Sequence, residues 1–129
     1  MDEDNRELRN IIDADDGNLG AQIGKMKTGI VLFYATWCWH SKIALRLLPE
    51  LAKEYETLGF IRVSISEEES DGSRRIVAPE TKKSLGIERY PQWTVFRKGI
   101  VDINLIVSEK DEKGQLADVR ELLDRIGIR

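Results

Sequence analysis

The sequence predicts an α/β fold: a mixed central sheet with helices on both faces, ending in a β-hairpin and a helix. Three features carry that prediction. Ile30-Val31-Leu32-Phe33-Tyr34 and Phe60-Ile61-Arg62-Val63-Ser64-Ile65 are short runs rich in β-branched and aromatic residues. The first is apolar without alternation, as a strand buried on both faces requires. Around these runs, apolar residues recur at helical spacing. Further on, Gln92-Trp93-Thr94-Val95-Phe96 and Ile100 to Val107 flank Arg97-Lys98-Gly99, a hairpin signal. Helical connections between the early strands and a closing hairpin together give a mixed sheet.

Each element has its local reason. Leu8 to Ile12 reads as a short first strand, followed by Asp13, Asp15, Asp16 and Asn18 as N-cap candidates. Leu19, Ile23 and Met26 then recur at helical spacing, and Gly29 is a stop signal. From about Cys38 to Tyr55 a second helix presents Ile43, Leu47, Leu48, Leu51, Ala52 and Tyr55 as one apolar stripe. Pro49 removes a backbone hydrogen bond within it and is expected to kink it. Glu67 to Arg75 is polar, contains Asp71-Gly72, and reads as a solvated loop. Pro79 suits the first turn of a helix over Glu80 to Leu85 that ends at Gly86. After Lys113-Gly114, Leu116, Val119, Leu122, Leu123 and Ile126 line one face of a final helix. The order is β-α-β-α-β-α-β-β-α.

With 129 residues, 41% hydrophobic and 33% charged, the chain fits one globular domain over residues 1–129, with residues 1–7 expected as a flexible tail. Twenty Lys plus Arg against twenty-three Asp plus Glu give a net charge of -3. That balance argues against nucleic acid, which needs a basic footprint. No apolar run reaches the roughly 18–20 residues of a membrane span. The acidic start Met1-Asp2-Glu3-Asp4 has none of the basic and apolar regions of a signal peptide. A cytoplasmic protein is expected.

The chain has one cysteine, Cys38, and one histidine, His40. An internal disulfide is therefore impossible. A four-ligand zinc site lacks ligands, so no metal and no cofactor are expected. The two residues sit together in Trp37-Cys38-Trp39-His40-Ser41, where a strand turns into a helix. Only the thiolate attacks a disulfide, and a free thiol has a pKa near about 8.5. Unpaired N–H groups at a helix start favour an anion, and a protonated His40 would add to that effect. Trp37 and Trp39 flank the sulfur; packing is the first reading of Trp37, whereas Trp39 is expected to project toward solvent.

Strand, turn, Trp-Cys-x-x-Ser and helix, then a later Tyr-Pro before a strand, resemble the thioredoxin family. The matching pieces are Val31 through Cys38, Gly86-Ile87-Glu88-Arg89-Tyr90-Pro91 and Phe96-Arg97-Lys98-Gly99. The likeness runs from about Ile11 to Ile126. It implies a thioredoxin fold and thiol-disulfide exchange. It places the nucleophile on Cys38 and a cis-proline on Pro91, with Tyr90 facing substrate. Partners would be protein disulfides and a thiol or reductase electron donor, met by a monomer.

Departures from the family pattern bear on this implication. Ser41 occupies the place of the second, resolving cysteine, and serine cannot expel a mixed disulfide. It is either the native residue or a replacement of the kind used to trap complexes. Leu32 stands where the family carries a buried acid. Arg62 is expected to replace a buried lysine, with its charge snorkelling to solvent. The glycine that lines the family's substrate groove falls at Val107 or Ser108. The extra residues of Glu67 to Arg75 are expected to carry partner specificity. A thioredoxin-fold binding or adaptor module without a redox cycle is the alternative. A glutathione-using monothiol enzyme is a third possibility, without a distinct glutathione-binding pattern.

Overall fold

In the computed structural model, Thr28–Ala35 forms the middle strand of the sheet. The structure describes residues 11–106 and 111–127. The tail expected at residues 1–7, and Val107 and Ser108, lie outside them. The elements are β1 (Ile11–Ala14), α1 (Leu19–Gly24), β2 (Thr28–Ala35), α2 (Trp39–Glu54), β3 (Gly59–Glu68), β4 (Arg74–Ile76), α3 (Pro79–Leu85), β5 (Gln92–Arg97), β6 (Ile100–Ile106) and α4 (Glu112–Arg125). The sheet runs β1-β3-β2-β5-β6, with β4 paired to the far end of β3. β1, β3 and β2 are mutually parallel; β5 pairs antiparallel with β2, and β6 antiparallel with β5.

The apolar run in β2 is continuous because both its faces are covered. Ile30 and Leu32 pack with Leu48 and Leu51 of α2 and Val119, Leu122 and Leu123 of α4. Val31 and Phe33 point the other way, to Leu19 and Ile23 of α1 and to Ala78 and Ile87 around α3. The predicted mixed sheet with helices on both faces is the observed one. α2 runs from Trp39 to Glu54 with Pro49 inside it. No helix among the described residues is long and apolar enough to cross a membrane.

At the start of the central strands, Gly29 of β2 is in register with Gly59 of β3. A Cβ added at either glycine would come within 2.3 Å of the Met26 sulfur. The two glycines are the seat on which Met26 lies.

Several expectations need correction. Among the described residues the first strand covers Ile11–Ala14, pairing with Phe60 to Val63, and so runs past the expected end at Ile12; residues 8–10 of the expected strand lie outside the described residues. The polar segment after Glu67 is not a plain loop: β3 continues to Glu68 and β4 returns antiparallel, Ser66 facing Ile76 and Glu68 facing Arg74. Gly72 makes its turn at φ 87°, and the Asp71 carboxylate accepts from the Ser73 amide at 2.9 Å. Arg62 does not simply extend to solvent. Its guanidinium pairs with both carboxylate oxygens of Asp13 on the neighbouring strand. The N-cap group is also redistributed. Asn18 occupies the α1 cap position without a side-chain cap bond. Asp16 instead accepts from the Glu80 and Thr81 amides at 3.0 and 2.9 Å, so it caps α3 from across the fold.

Candidate active site

The end of β2 turns into α2 through Thr36, Trp37 and Cys38. Cys38 is the N-cap residue, with extended backbone at φ -88° and ψ 124°. Its amide donates to the Ala35 carbonyl at 3.1 Å, and its own carbonyl receives the Lys42 amide at 3.1 Å. The side chain makes no capping bond. The sulfur therefore stands at the helix start, half-buried, without bonding the first amides of its own helix.

Across from it runs the segment before β5. The Tyr90–Pro91 peptide bond is cis. The Tyr90 carbonyl accepts the Cys38 thiol at 3.6 Å, a weak sulfur hydrogen bond. Residues separated by 52 positions thus meet at the sulfur. Pro91 is buried and Tyr90 half-buried. Burial pushes the Tyr90 phenol above its ordinary pKa.

The two tryptophans have different environments. Trp37 donates its indole N–H to Ser66 Oγ at 2.8 Å and meets the Tyr90 ring edge-on at 5.9 Å between centroids. The Arg74 guanidinium lies over its face, 3.7 Å from the ring centroid. Trp39, the first residue of α2, is 64% exposed. Packing thus fixes Trp37, while Trp39 offers a bare apolar surface beside the sulfur.

Ser41 is fully buried in the first turn of α2. Its hydroxyl accepts the Ala35 amide at 3.1 Å, which ties the end of β2 to the helix that follows. A buried amide left without that acceptor would cost about 1–3 kcal/mol. His40 is half-buried, and its carbonyl receives the Gln115 side-chain amide of α4 at 3.1 Å. Leu32 is fully buried beneath the turn, in register with Trp93 and Arg62. All the residues singled out in the sequence, Trp37, Cys38, Trp39, His40, Ser41, Tyr90 and Pro91, lie at this end of the sheet.

Sequence reasoning missed the residues that hold the turn from the β3 side. The Thr36 amide donates to the Ser66 carbonyl at 2.9 Å, and the Glu68 amide donates to Thr36 Oγ1 at 3.1 Å. Ser66 and Arg74 then fix the Trp37 ring. A signal was available: Glu67-Glu68-Glu69 and Arg74-Arg75 bracket Asp71-Gly72 with opposite charge, as paired strands of a hairpin would.

Comparisons with known proteins agree with this geometry. The crystal structure of Chlamydomonas reinhardtii thioredoxin f2 superposes with a TM-score of 0.73, at 15% identity, over 91% of this chain and 96% of that one. A chain of a ferredoxin:thioredoxin reductase and thioredoxin f2 complex gives 0.66 at 17% identity, over 88% of this chain and 94% of that one. Reduced Schistosoma mansoni thioredoxin gives 0.68 at 23% identity, over 89% and 96% of the two chains. No curated protein sequence matches the chain. The sequence pattern of the Thioredoxin family matches residues 10–121. Match, fold and site geometry agree: the chain belongs to the thioredoxin family.

Proposed function

We propose that the protein, as one thioredoxin-like domain over residues 1–129, performs thiol-disulfide exchange on protein disulfides through Cys38. The observation that supports this most is the half-buried Cys38 sulfur at the start of α2, 3.6 Å from the Tyr90 carbonyl that precedes Pro91. The Cys38 thiolate attacks one sulfur of a partner disulfide. A Cys38–partner S–S bond forms, the partner's S–S bond breaks, and the departing thiolate takes a proton from solvent. An extended partner segment would lie along Tyr90 and Pro91, against Trp37 and Trp39.

Release needs a second thiol. Ser41 cannot supply it, so an external thiol or a reductase must attack the mixed disulfide, oxidising itself as Cys38 is reduced. A structurally similar chain comes from a ferredoxin:thioredoxin reductase complex, which supports a reductase as donor. A reducing cytoplasmic setting, a monomeric state and the absence of a cofactor complete the reading.

A redox-inactive adaptor is the second reading. It is favoured by Ser41, whose hydroxyl has a structural partner in Ala35, and by Leu32 at the place of the acid. Restoring the missing thiol separates the two. The Ser41→Cys variant with a dithiol donor should reduce a protein disulfide over many turnovers, while the unchanged protein stops at one adduct. An inert Ser41→Cys variant, with partner capture unchanged in Cys38→Ala, would establish the adaptor instead.

A further inference from the structure

The β3–β4 hairpin puts a cation at the rim of the site. Ser66 and Glu68 face Ile76 and Arg74 across the two strands, so alternation places all four on one face. That face meets Trp37, because Ser66 binds its indole and Arg74 covers its ring. Trp37 adjoins Cys38 in sequence and touches Tyr90, whose carbonyl meets the Cys38 sulfur. Arg74 thus connects to the sulfur through three contacts, Arg74–Trp37, Trp37–Tyr90 and Tyr90–Cys38.

The surroundings of Arg74 distinguish it from its neighbour. Arg75 is paired with Glu69. No carboxylate among the described residues pairs with Arg74, although Glu68 is its cross-strand partner on the same face. Glu67 faces Arg75 across the strands and acts on Tyr34. The Asp71 carboxylate is engaged by the amide and hydroxyl of Ser73. Arg74 is exposed, and stacking occupies only one face of its guanidinium. A stacked guanidinium keeps its N–H donors in its plane, where they can grip a carboxylate with two parallel bonds.

We propose that Arg74 is a specificity determinant that selects partner disulfides with an acidic side chain beside the reacting cysteine. The inference rests on Cys38 being the attacking group, and two arms of one experiment keep the claims apart. Peptides with a single cysteine are activated as mixed disulfides with thionitrobenzoate, with glutamate or lysine flanking that cysteine. Attack by Cys38 forms the Cys38–peptide S–S bond and expels the coloured thionitrobenzoate anion. In the second arm, the Cys38→Ser protein binds the same peptides with serine in place of cysteine.

The glutamate peptide should react and bind about fivefold better than the lysine peptide, the upper range for an exposed ion pair. Arg74→Gln should reduce that preference to below about twofold, as should high salt. Arg74→Lys should retain part of it. Arg75→Gln removes a cation already neutralised by Glu69 and should leave the preference intact. Absence of thionitrobenzoate release from every peptide would refute attack by Cys38, while the binding arm still judges Arg74. Equal binding of the two peptides, absence of binding included, or a preference that survives Arg74→Gln, would overturn the proposal.

Discussion

The two ends of the central strands are built differently. At their start, Gly29 and Gly59 lie in register beneath Met26, and shape alone holds the contact. At their finish, hydrogen bonds set the turn: Ala35 to Ser41, Thr36 to Ser66, Glu68 to Thr36 and Trp37 to Ser66. The one cysteine and the one histidine of the chain lie away from the first end. The second leaves Cys38 half-buried and Trp39 exposed. Packing tolerates small movement of the seated side chain, whereas a helix-start sulfur that must meet Tyr90 needs directional bonds. In this fold, one end of the sheet is held by shape and the other is positioned by directional bonds.

Substitutions at the two ends should separate those roles. The largest stability loss is expected from Gly29→Val, whose Cβ would unseat Met26 and stand 3.1 Å from the Gly59 carbonyl oxygen, with two further methyl groups to fit. Overpacking of this kind costs about 1–3 kcal/mol. Denaturant unfolding should show that loss, and the rate of Cys38 alkylation should stay as it was. Ser41→Ala should cost about 2 kcal/mol by stranding the buried Ala35 amide. Unlike the glycine variant, it should also change the alkylation rate, because the tie lies between β2 and the sulfur. An unchanged rate would erase the distinction between the two ends.

A smaller effect is expected from Trp37→Phe. It keeps a ring for Arg74 and Tyr90 and loses the hydrogen bond to Ser66, for about 1 kcal/mol. Measured against Ser66→Ala in a double-mutant cycle, the two losses should overlap rather than add.

The smallest effect concerns Asp16, remote in sequence from the turn. Burial pushes its carboxyl pKa up, but the Thr81 side chain and the Thr81 and Glu80 amides outweigh that and hold it below the ordinary carboxylate value. The folded value is the lower one, so the contribution is present above the unfolded pKa of about 3.9 and is lost as pH falls through the folded value. Asp16→Ala should therefore cost about 0.5–1 kcal/mol near neutral pH. Unfolding curves of variant and parent should converge as the medium is acidified below about pH 4. A gap that widens with acid would reverse this assignment.

Legibility in the sequence followed the same division. β2 was readable because its run is apolar on both faces, and the β5–β6 hairpin because Lys98-Gly99 sits between apolar strands. Both turn residues have positive φ, 52° and 80°. The β3–β4 hairpin was hidden because every residue from Asp71 to Ile76 is exposed. Without a buried face, no alternation of apolar and polar residues marks a strand. Cys38 was legible from the strand-to-helix turn that carries it, but Tyr90 and Pro91 only through family likeness, since nothing local brings residues 52 apart together. The sequence places Asp16 as a cap candidate for the helix after it and Arg62 with its charge toward solvent, and the actual partners of both are hidden. Their contacts, Thr81 and Asp13, depend on strand register and loop packing.

One measurement bears on the central claim directly: intact mass of the protein after exposure to a small protein disulfide, with and without later addition of a thiol. A single covalent adduct should form, mapped to Cys38, absent from Cys38→Ala and removed by the thiol. An unmodified Cys38 under conditions that readily modify a free thiol would contradict it.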